Sequence, residues 1–373
     1  MAWLDESEAP DSFHLWTAMT ILGAAMRRNA FIHRGVYTLW PNFFTVLVAK
    51  TGRCRKSSAM EAGVVNLLNK VDEVLVISDK MTTEGLIETL SQHVVMSLPT
   101  MSREATGLVF ASEFAVLIHH DTKMVGFLTD IYNSREKWLY TTRTKGKVEL
   151  SGICVSLLAG SAPEWLKLII PMGAVGGGFT SRIIFVYEED RRKSNARPKP
   201  LDEELGALLL EDLRMITNLQ GEFKLSTAAG ELFDTWYDSR KLPEEEEAAG
   251  FAERVPDHAL KSAMVWSIQE RDDFVIEVSH ITSAIACVEE VEQKLPRVFA
   301  GIGESLEASV TERVSDILRH ADNSMMTRKR MLRKLKRHTS AKQLDSIVLT
   351  LVEAGEIQEE IIGATRIYKW IGN

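Results

Sequence analysis

A lysine and a serine stand side by side at positions 56 and 57, just past a basic turn, and that pair is the first hint of chemistry in this chain. The run Val46-Leu47-Val48-Ala49-Lys50-Thr51-Gly52-Arg53-Cys54-Arg55-Lys56-Ser57-Ser58 passes from an apolar strand through a flexible turn into a helix start. Backbone N–H groups at a helix N-terminus face outward and favour an anion. A lysine there reaches the β- and γ-phosphates of a nucleotide, and a serine hydroxyl ligates Mg²⁺. Thr51, Gly52, Arg55, Lys56, Ser57 and Ser58 are therefore the candidate ATP-binding residues. The strict phosphate-loop spacing, with glycine directly before the lysine, is not met. Ala49 and Cys54 stand where glycines would be comfortable, and Arg55 is inserted before Lys56. The segment read alone also suits a basic surface turn.

Three later segments add to it. Leu108-Val109-Phe110-Ala111-Ser112-Glu113 is an apolar strand ending in a carboxylate. In phosphoryl-transfer ATPases such a position carries an acid that helps hold Mg²⁺, followed by a glutamate that orients water. Here Ser112 replaces the first and Glu113 supplies the second, so Ser57 and Glu113 are the candidate metal ligands. Val155–Pro163 ends in Ser161, placed to sense a γ-phosphate. Gly176-Gly177-Gly178-Phe179-Thr180-Ser181-Arg182 sets an arginine at the start of a strand, where a finger toward a neighbouring subunit's nucleotide can sit. Each segment has a plain alternative: a solvated glutamate, a Gly-Ser turn, a strand-edge salt bridge.

The elements that must position these residues follow from patterning. Short apolar β-rich runs at Phe43–Ala49, Val74–Ser78, Gly107–Ala111, Ile153–Leu158 and Arg182–Tyr187 alternate with helical stretches. The helical stretches are Ser12–Arg28, Ser57–Asn69, Thr83–Gln92, Val125–Tyr132 and Glu164–Leu168. Apolar strands separated by helices predict an α/β fold with a mostly parallel sheet covered on both faces. Residues 201–300 read as four helices: Leu201–Leu219, Ser226–Ser239, Ala252–Gln269 and Ser279–Phe299. The tail reads as helices near 305–320, 327–337 and 340–354, then a two-stranded ribbon around Gly363.

Composition bounds the function classes. The chain has 373 residues, 45% hydrophobic and 26% charged, which excludes a disordered, collagen-like or coiled-coil polymer. No window approaches 18 consecutive apolar residues, so no membrane partner is expected. The acidic start Met1–Glu6 lacks an apolar signal core, and Cys54, Cys154 and Cys287 form no zinc spacing; both suit a reducing cytoplasm. The net charge of −8 speaks against a nucleic-acid coat protein, but it is unevenly spread. Residues 1–199 carry 23 basic and 20 acidic side chains, residues 200–304 carry 9 and 23, and residues 305–373 carry 12 and 9.

The order of phosphate loop, acidic strand end, polar strand end and arginine resembles the AAA+-related helicase domain of phage and plasmid replication proteins, often fused behind a primase. Matching phrases cover most of the chain: Phe13-His14-Leu15-Trp16, Trp40-Pro41-Asn42, Lys80-Met81-Thr82-Thr83-Glu84-Gly85, Gly160-Ser161-Ala162-Pro163-Glu164-Trp165 and Gly177–Arg182. Ala252–Ala263 is similar to the lid element of the same family, with Arg254 as a candidate second sensor. The resemblance implies a P-loop core of RecA-like type. It divides the chain into an N-terminal helical segment (1–40), an ATPase core (41–195), a helical lid (196–303) and a tail (304–373). It also implies a hexameric ring with ATP and Mg²⁺ between subunits, Lys56, Ser57 and Glu113 acting in cis and Arg182 in trans, and one DNA strand in the pore.

Two basic segments are candidate DNA contacts. Trp138–Leu150 reads as a hairpin with Arg143, Lys145 and Lys147 near its tip, where cations meet phosphates and an aromatic stacks on a base. Arg328-Lys329-Arg330-Met331-Leu332-Arg333-Lys334-Leu335-Lys336-Arg337 holds seven cations in ten residues, anchored by Met331, Leu332 and Leu335. With the following helix and ribbon this tail resembles a winged helix-turn-helix, whose Lys342 and Gln343 would open the recognition helix toward duplex DNA. The expectation is thus an ATP-dependent ring-forming helicase or translocase in replication of a mobile element, with a primase as a candidate partner. Ser112 and the missing glycines keep open a helicase loader or origin-organising assembly protein with a degenerate ATPase.

Overall fold

The computed structural model describes residues 2–78, 80–97, 100–118, 122–142, 146–170, 178–243, 246–299, 306–335, 339–363 and 365–372. The chain divides into two compact units, residues 1–300 and 301–373. The first is built on a five-stranded sheet of β1 (Phe44–Val48), β2 (Val76–Ser78), β3 (Thr106–Ala111), β4 (Cys154–Ser161) and β5 (Ile183–Tyr187). All neighbours are parallel and the order is β5-β1-β4-β3-β2. Every residue of β1 and β4 is buried, as expected for central strands packed on both faces. The α/β expectation and its parallel sheet therefore hold.

Strand order also fixes where a ligand crevice opens. The chain leaves β1 toward β2, passing over β4 and β3, whereas it leaves β4 in the opposite direction, over β1 to β5. Right-handed crossovers in opposite directions put their helices on opposite faces, so a crevice opens at the carboxyl ends of β1 and β4. Register brings the ends level there: Val48 pairs with Ser161 on one side and Tyr187 on the other, and Ala159 pairs with Ala111.

Helix α1 (Asp11–Met26) is apolar around most of its circumference, which marks a helix packed on several sides. It lies against helix α2 (Lys56–Val64), β1, β3 and β4. The helix expected over Ser57–Asn69 stops at Val64 and resumes as a single tight turn, Leu68–Lys70. Among the strands that patterning does not predict are the hairpin Val94–Ser97 and Thr100–Arg103, the tail strand Met325–Thr327, and the pair Ala30–Arg34 and Tyr37–Leu39, hinged at Gly35 with φ +61°. That last pair forms a small sheet with Gly221–Glu222. The helices Glu203–Asn218, Thr227–Ser239, Val255–Ile268 and Val278–Phe299 follow, with Phe299 edge-on to Phe185 of β5 at 5.4 Å. Among the described residues no helix is long and apolar enough to cross a membrane.

The second unit has helices Leu306–Arg319, Arg328–Leu335 and Ala341–Glu353, with an antiparallel sheet of Met325–Thr327, Thr365–Trp370 and Ile357–Ile362. Its core gathers Val314, Leu318, Met331, Leu335, Leu344, Ile347 and Tyr368. Met331 and Leu335 are fully buried and Leu332 is partly so, the stripe that leaves the basic face of their helix outward.

Three described histidines in the first unit are buried, His14, His258 and His280, and two of them are held neutral by burial. His258 stacks on Phe251 and sits 3.5 Å from the Tyr132 hydroxyl and 3.4 Å from the Ser181 carbonyl. Burial pushes His258 down to about 3 and His14 down to about 4. Between pH 6.5 and 4 the unfolded chain takes up protons that these imidazoles refuse, so stability falls on acidification through that window. In denaturant titrations at stepped pH, His258→Phe should flatten part of that slope; an unchanged slope would show that His258 is not buried neutral.

Candidate functional site

The turn after β1 is tied at three consecutive residues. Arg53 reaches Asp190 at 2.7 Å, the Cys54 thiol lies 3.7 Å from the Glu188 carbonyl, and Arg55 donates to Glu8 at 2.8 Å. Glu8 also accepts from Arg191 at 2.8 Å and from the Asn195 backbone at 2.9 Å, and the Asn195 bond followed by that of Arg55 holds its carboxyl below the usual range. Arg55 has φ +51° and ψ +39°, the left-handed region. That conformation costs an ordinary residue about 1–2 kcal/mol. It occupies the place directly before the lysine where the strict phosphate-loop pattern has glycine, and the geometry gives the reason for that preference. Here the Glu8 ion pair holds an arginine in a shape that glycine adopts freely.

Lys56 opens α2 next to this strained residue, and Ser57 and Ser58 are exposed in its first turn. Thr51 and Gly52 are exposed at the tip of the turn, Gly52 with φ +75°. The Lys56 ammonium turns back to the Ala49 carbonyl at 2.5 Å, and the Ala49 amide donates to the Ser161 carbonyl at 3.2 Å. Burial pulls the Lys56 pKa down, with the Glu113 charge opposing it. Burial raises that of Glu113, opposed by Lys56 and by a hydrogen bond from the Ser161 hydroxyl. One Glu113 carboxylate oxygen, Oε1, is buried without a hydrogen-bond partner among the described residues. Glu113, just past the end of β3, thus acts with Lys56 at the start of α2 and with Ser161 at the end of β4.

Ser112 is exposed beside Glu113 and contributes its backbone carbonyl. A side chain at Gly160 would place Cβ 2.9 Å from that carbonyl and 3.0 Å from the Met60 methyl, with the Lys56 stem at 3.8 Å. Gly160 therefore lets β4 run close under the lysine. It was not among the expected site residues, though a glycine directly before Ser161 was the available signal. Glu8 and Asp190 carried none, because ion pairing across such sequence distance is invisible in one chain. A cavity of 210 Å³ lies alongside, lined in part by Ser78, Lys80, Ser112 and Glu113.

Arg182 and Arg254 form a second group. Arg254 donates to the Ser181 hydroxyl at 3.1 Å. Arg182 is only 9% exposed, donates to the Gly178 carbonyl and lies 5.8 Å from the Tyr132 ring centre. Its guanidinium is thus turned inward, against Tyr132 and the Gly178 carbonyl. Phe114, the residue after Glu113, stacks on Phe179 at 6.4 Å and joins the two groups. Lys261, also unforeseen, is buried beneath: it donates to both oxygens of Asn42 and sits 4.2 Å over Tyr132. Burial takes its pKa down to about 7.

Of the hairpin cations, Lys147 is exposed on the strand Gly146–Ser151, and Arg143 and Lys145 lie outside the described residues. Trp138 and Tyr140 stack at 5.7 Å on one face of the opposing strand, Lys137–Thr142. In the tail, Lys329, Arg330, Arg333, Lys334 and Lys342 are exposed, whereas Lys336 and Arg337 lie outside the described residues. Arg328 is held by both Asp345 oxygens at 2.8 and 2.9 Å, and Gln343 accepts from the Ser340 backbone as the second half of a capping box. Those two side chains are committed to local structure, which an expectation of free contact residues did not foresee.

Gly160→Ala should disturb the site through backbone crowding alone. Overpacking of this kind costs about 1–3 kcal/mol, read as a lowered midpoint in chemical denaturation. A variant as stable as the parent would mean that the close approach of β4 to Ser112 is not maintained. In comparisons with known proteins, no family model and no curated sequence matches this chain.

Proposed function

We propose that the crevice at the ends of β1, β3 and β4 binds and hydrolyses ATP, and that the chain is a ring-forming DNA helicase or translocase of a mobile replicon. The observation that carries this reading is the mutual action of Lys56, Glu113 and Ser161 beside a free helix N-terminus. In the proposed cycle, the Lys56 ammonium leaves the Ala49 carbonyl for the nucleotide's phosphates, and the exposed amides of the first turn of α2 bind them too. The hydroxyl of Ser57 and the carboxylate of Glu113 are hard oxygen donors that suit Mg²⁺. Bound there, Mg²⁺ would neutralise charge on the phosphates. Glu113, with one oxygen unpartnered, orients the attacking water, and Ser161 keeps its carboxylate ionised and in place.

Oligomerisation as a hexamer, with Arg182 swung from Gly178 to a neighbour's phosphates, belongs to the same proposal. So do single-stranded DNA at the Trp138–Leu150 hairpin, duplex contact by a winged-helix tail, a lid in residues 196–303 and a primase partner. The tail's exposed cations Lys329, Arg330, Arg333, Lys334 and Lys342 supply the phosphate contacts.

DNA-stimulated ATP hydrolysis is the test. Lys56→Ala and Glu113→Gln should each lower turnover by about 100-fold or more while DNA binding persists. Ring assembly and DNA binding with no turnover above background in the parent would instead support the loader or origin-organising reading. Replacing Arg330 and Arg333 by alanine should weaken DNA binding across sequences and reduce the salt slope by about one per lost contact. Removal of the Ser161 hydroxyl deletes a bond that lowers the Glu113 pKa. Ser161→Ala should therefore shift the acid limb of the rate profile to higher pH; a shift to lower pH would contradict the assigned roles.

A further inference from the structure

A second cavity, of 650 Å³, lies in the first unit between α1, α2, the helix Glu203–Asn218 and the end of the helix Val255–Ile268. Its walls are mostly apolar: Ala18, Ile21 and Leu22 from α1, Ala59 and Gly63 from α2, and Leu213 and Ile216 opposite. That size and lining are those of a small-molecule site, in which a few polar groups fix orientation. Two such groups are present. His14 and Thr17, three residues apart on α1, both line the cavity and are 2% and 3% exposed. His14 Nδ1 and Thr17 Oγ1 are buried with no hydrogen-bond partner among the described residues. Buried polar atoms normally find partners, because one left unmet has given up its water without replacement.

The unmet pair has a structural origin. The Thr17 methyl faces α2 at Gly63, where an added Cβ would come within 2.8 Å of it. His14 Nε2 is engaged by the Ser7 hydroxyl at 2.8 Å, and that hydroxyl also accepts from the Ala9 amide at 3.1 Å. In the tautomer in which Ser7 donates to Nε2, Nδ1 carries the proton as a donor; in the other, Nδ1 is an acceptor. Burial keeps this imidazole uncharged at neutral pH. The rim carries Asp212, Glu270 and Asp272 against Arg271, and Arg271 is itself paired with Asp273 and Glu277. Such a rim repels anions, nucleotides included.

We propose that this cavity binds an uncharged, largely apolar small molecule that presents one hydroxyl or carbonyl group to His14 and Thr17. The site stands independently of the ATP reading, since none of its polar groups belongs to the crevice. Because α2 forms one wall and begins at Lys56, an occupant also braces the helix that follows the β1 turn.

The probe is a diazirine-bearing octanol, photolysed on the full-length chain and mapped by mass spectrometry. Labelling should saturate, concentrate within residues 3–22 and 209–219, and be protected by excess 1-octanol. Ala18→Phe, which fills the cavity, should reduce it at least tenfold, and Thr17→Val should weaken the half-saturation concentration threefold or more. Labelling spread over the exposed apolar surface, or unaffected by 1-octanol, would overturn the proposal. So would labelling that persists in Thr17→Val at the parent's half-saturation. The mapping on the parent decides the matter even if Ala18→Phe does not fold.

Discussion

The carboxyl end of the sheet is organised by two opposite charges taken partly out of water. Lys56 and Glu113 are each shifted toward neutrality by burial, and each is restrained by the other. Removing one of a desolvated pair leaves the other uncompensated, which is the costly outcome. The close run of β4 beneath Lys56, permitted by Gly160, and the hydroxyl of Ser161 lie around that pair. The left-handed Arg55, tied to Glu8, sets the angle at which α2 leaves the turn. The lysine satisfies itself on the Ala49 carbonyl, a bond that an incoming phosphate would exchange for a stronger, charge-assisted one.

Charge is partitioned in the same spirit. The acidic excess lies in residues 200–304, and basic residues are denser in the tail. In the tail the hydrophobic stripe Met331 and Leu335 faces inward, and Arg330, Arg333 and Lys334 remain outward. Net charge alone pointed away from polyanions, while the arrangement of side chains makes a local basic face.

Much of this was legible in the sequence where the physics is local. Period and composition located all five sheet strands, and the order of polar strand ends placed Glu113 and Ser161 near Lys56. Long-range partners were not legible: Glu8 for Arg55, Asp190 for Arg53, Tyr132 for Arg182 and Asn42 for Lys261 are joined by the fold and by no spacing. The short strands around Gly35 were missed because three to five residues carry too little periodicity. The local partners of Arg328 and Gln343 were not legible either, because a basic run and a helix start do not reveal Asp345 and Ser340.

The central claim is that the β1–β4 crevice receives a nucleoside triphosphate through Lys56. Equilibrium binding of a fluorescent, slowly hydrolysed ATP analogue with Mg²⁺, compared between the parent and Lys56→Ala by anisotropy, tests it most directly. Saturable binding in the parent that is lost in a folded Lys56→Ala variant is the predicted result. Equal affinity in both, or no saturable binding to the parent, would contradict it.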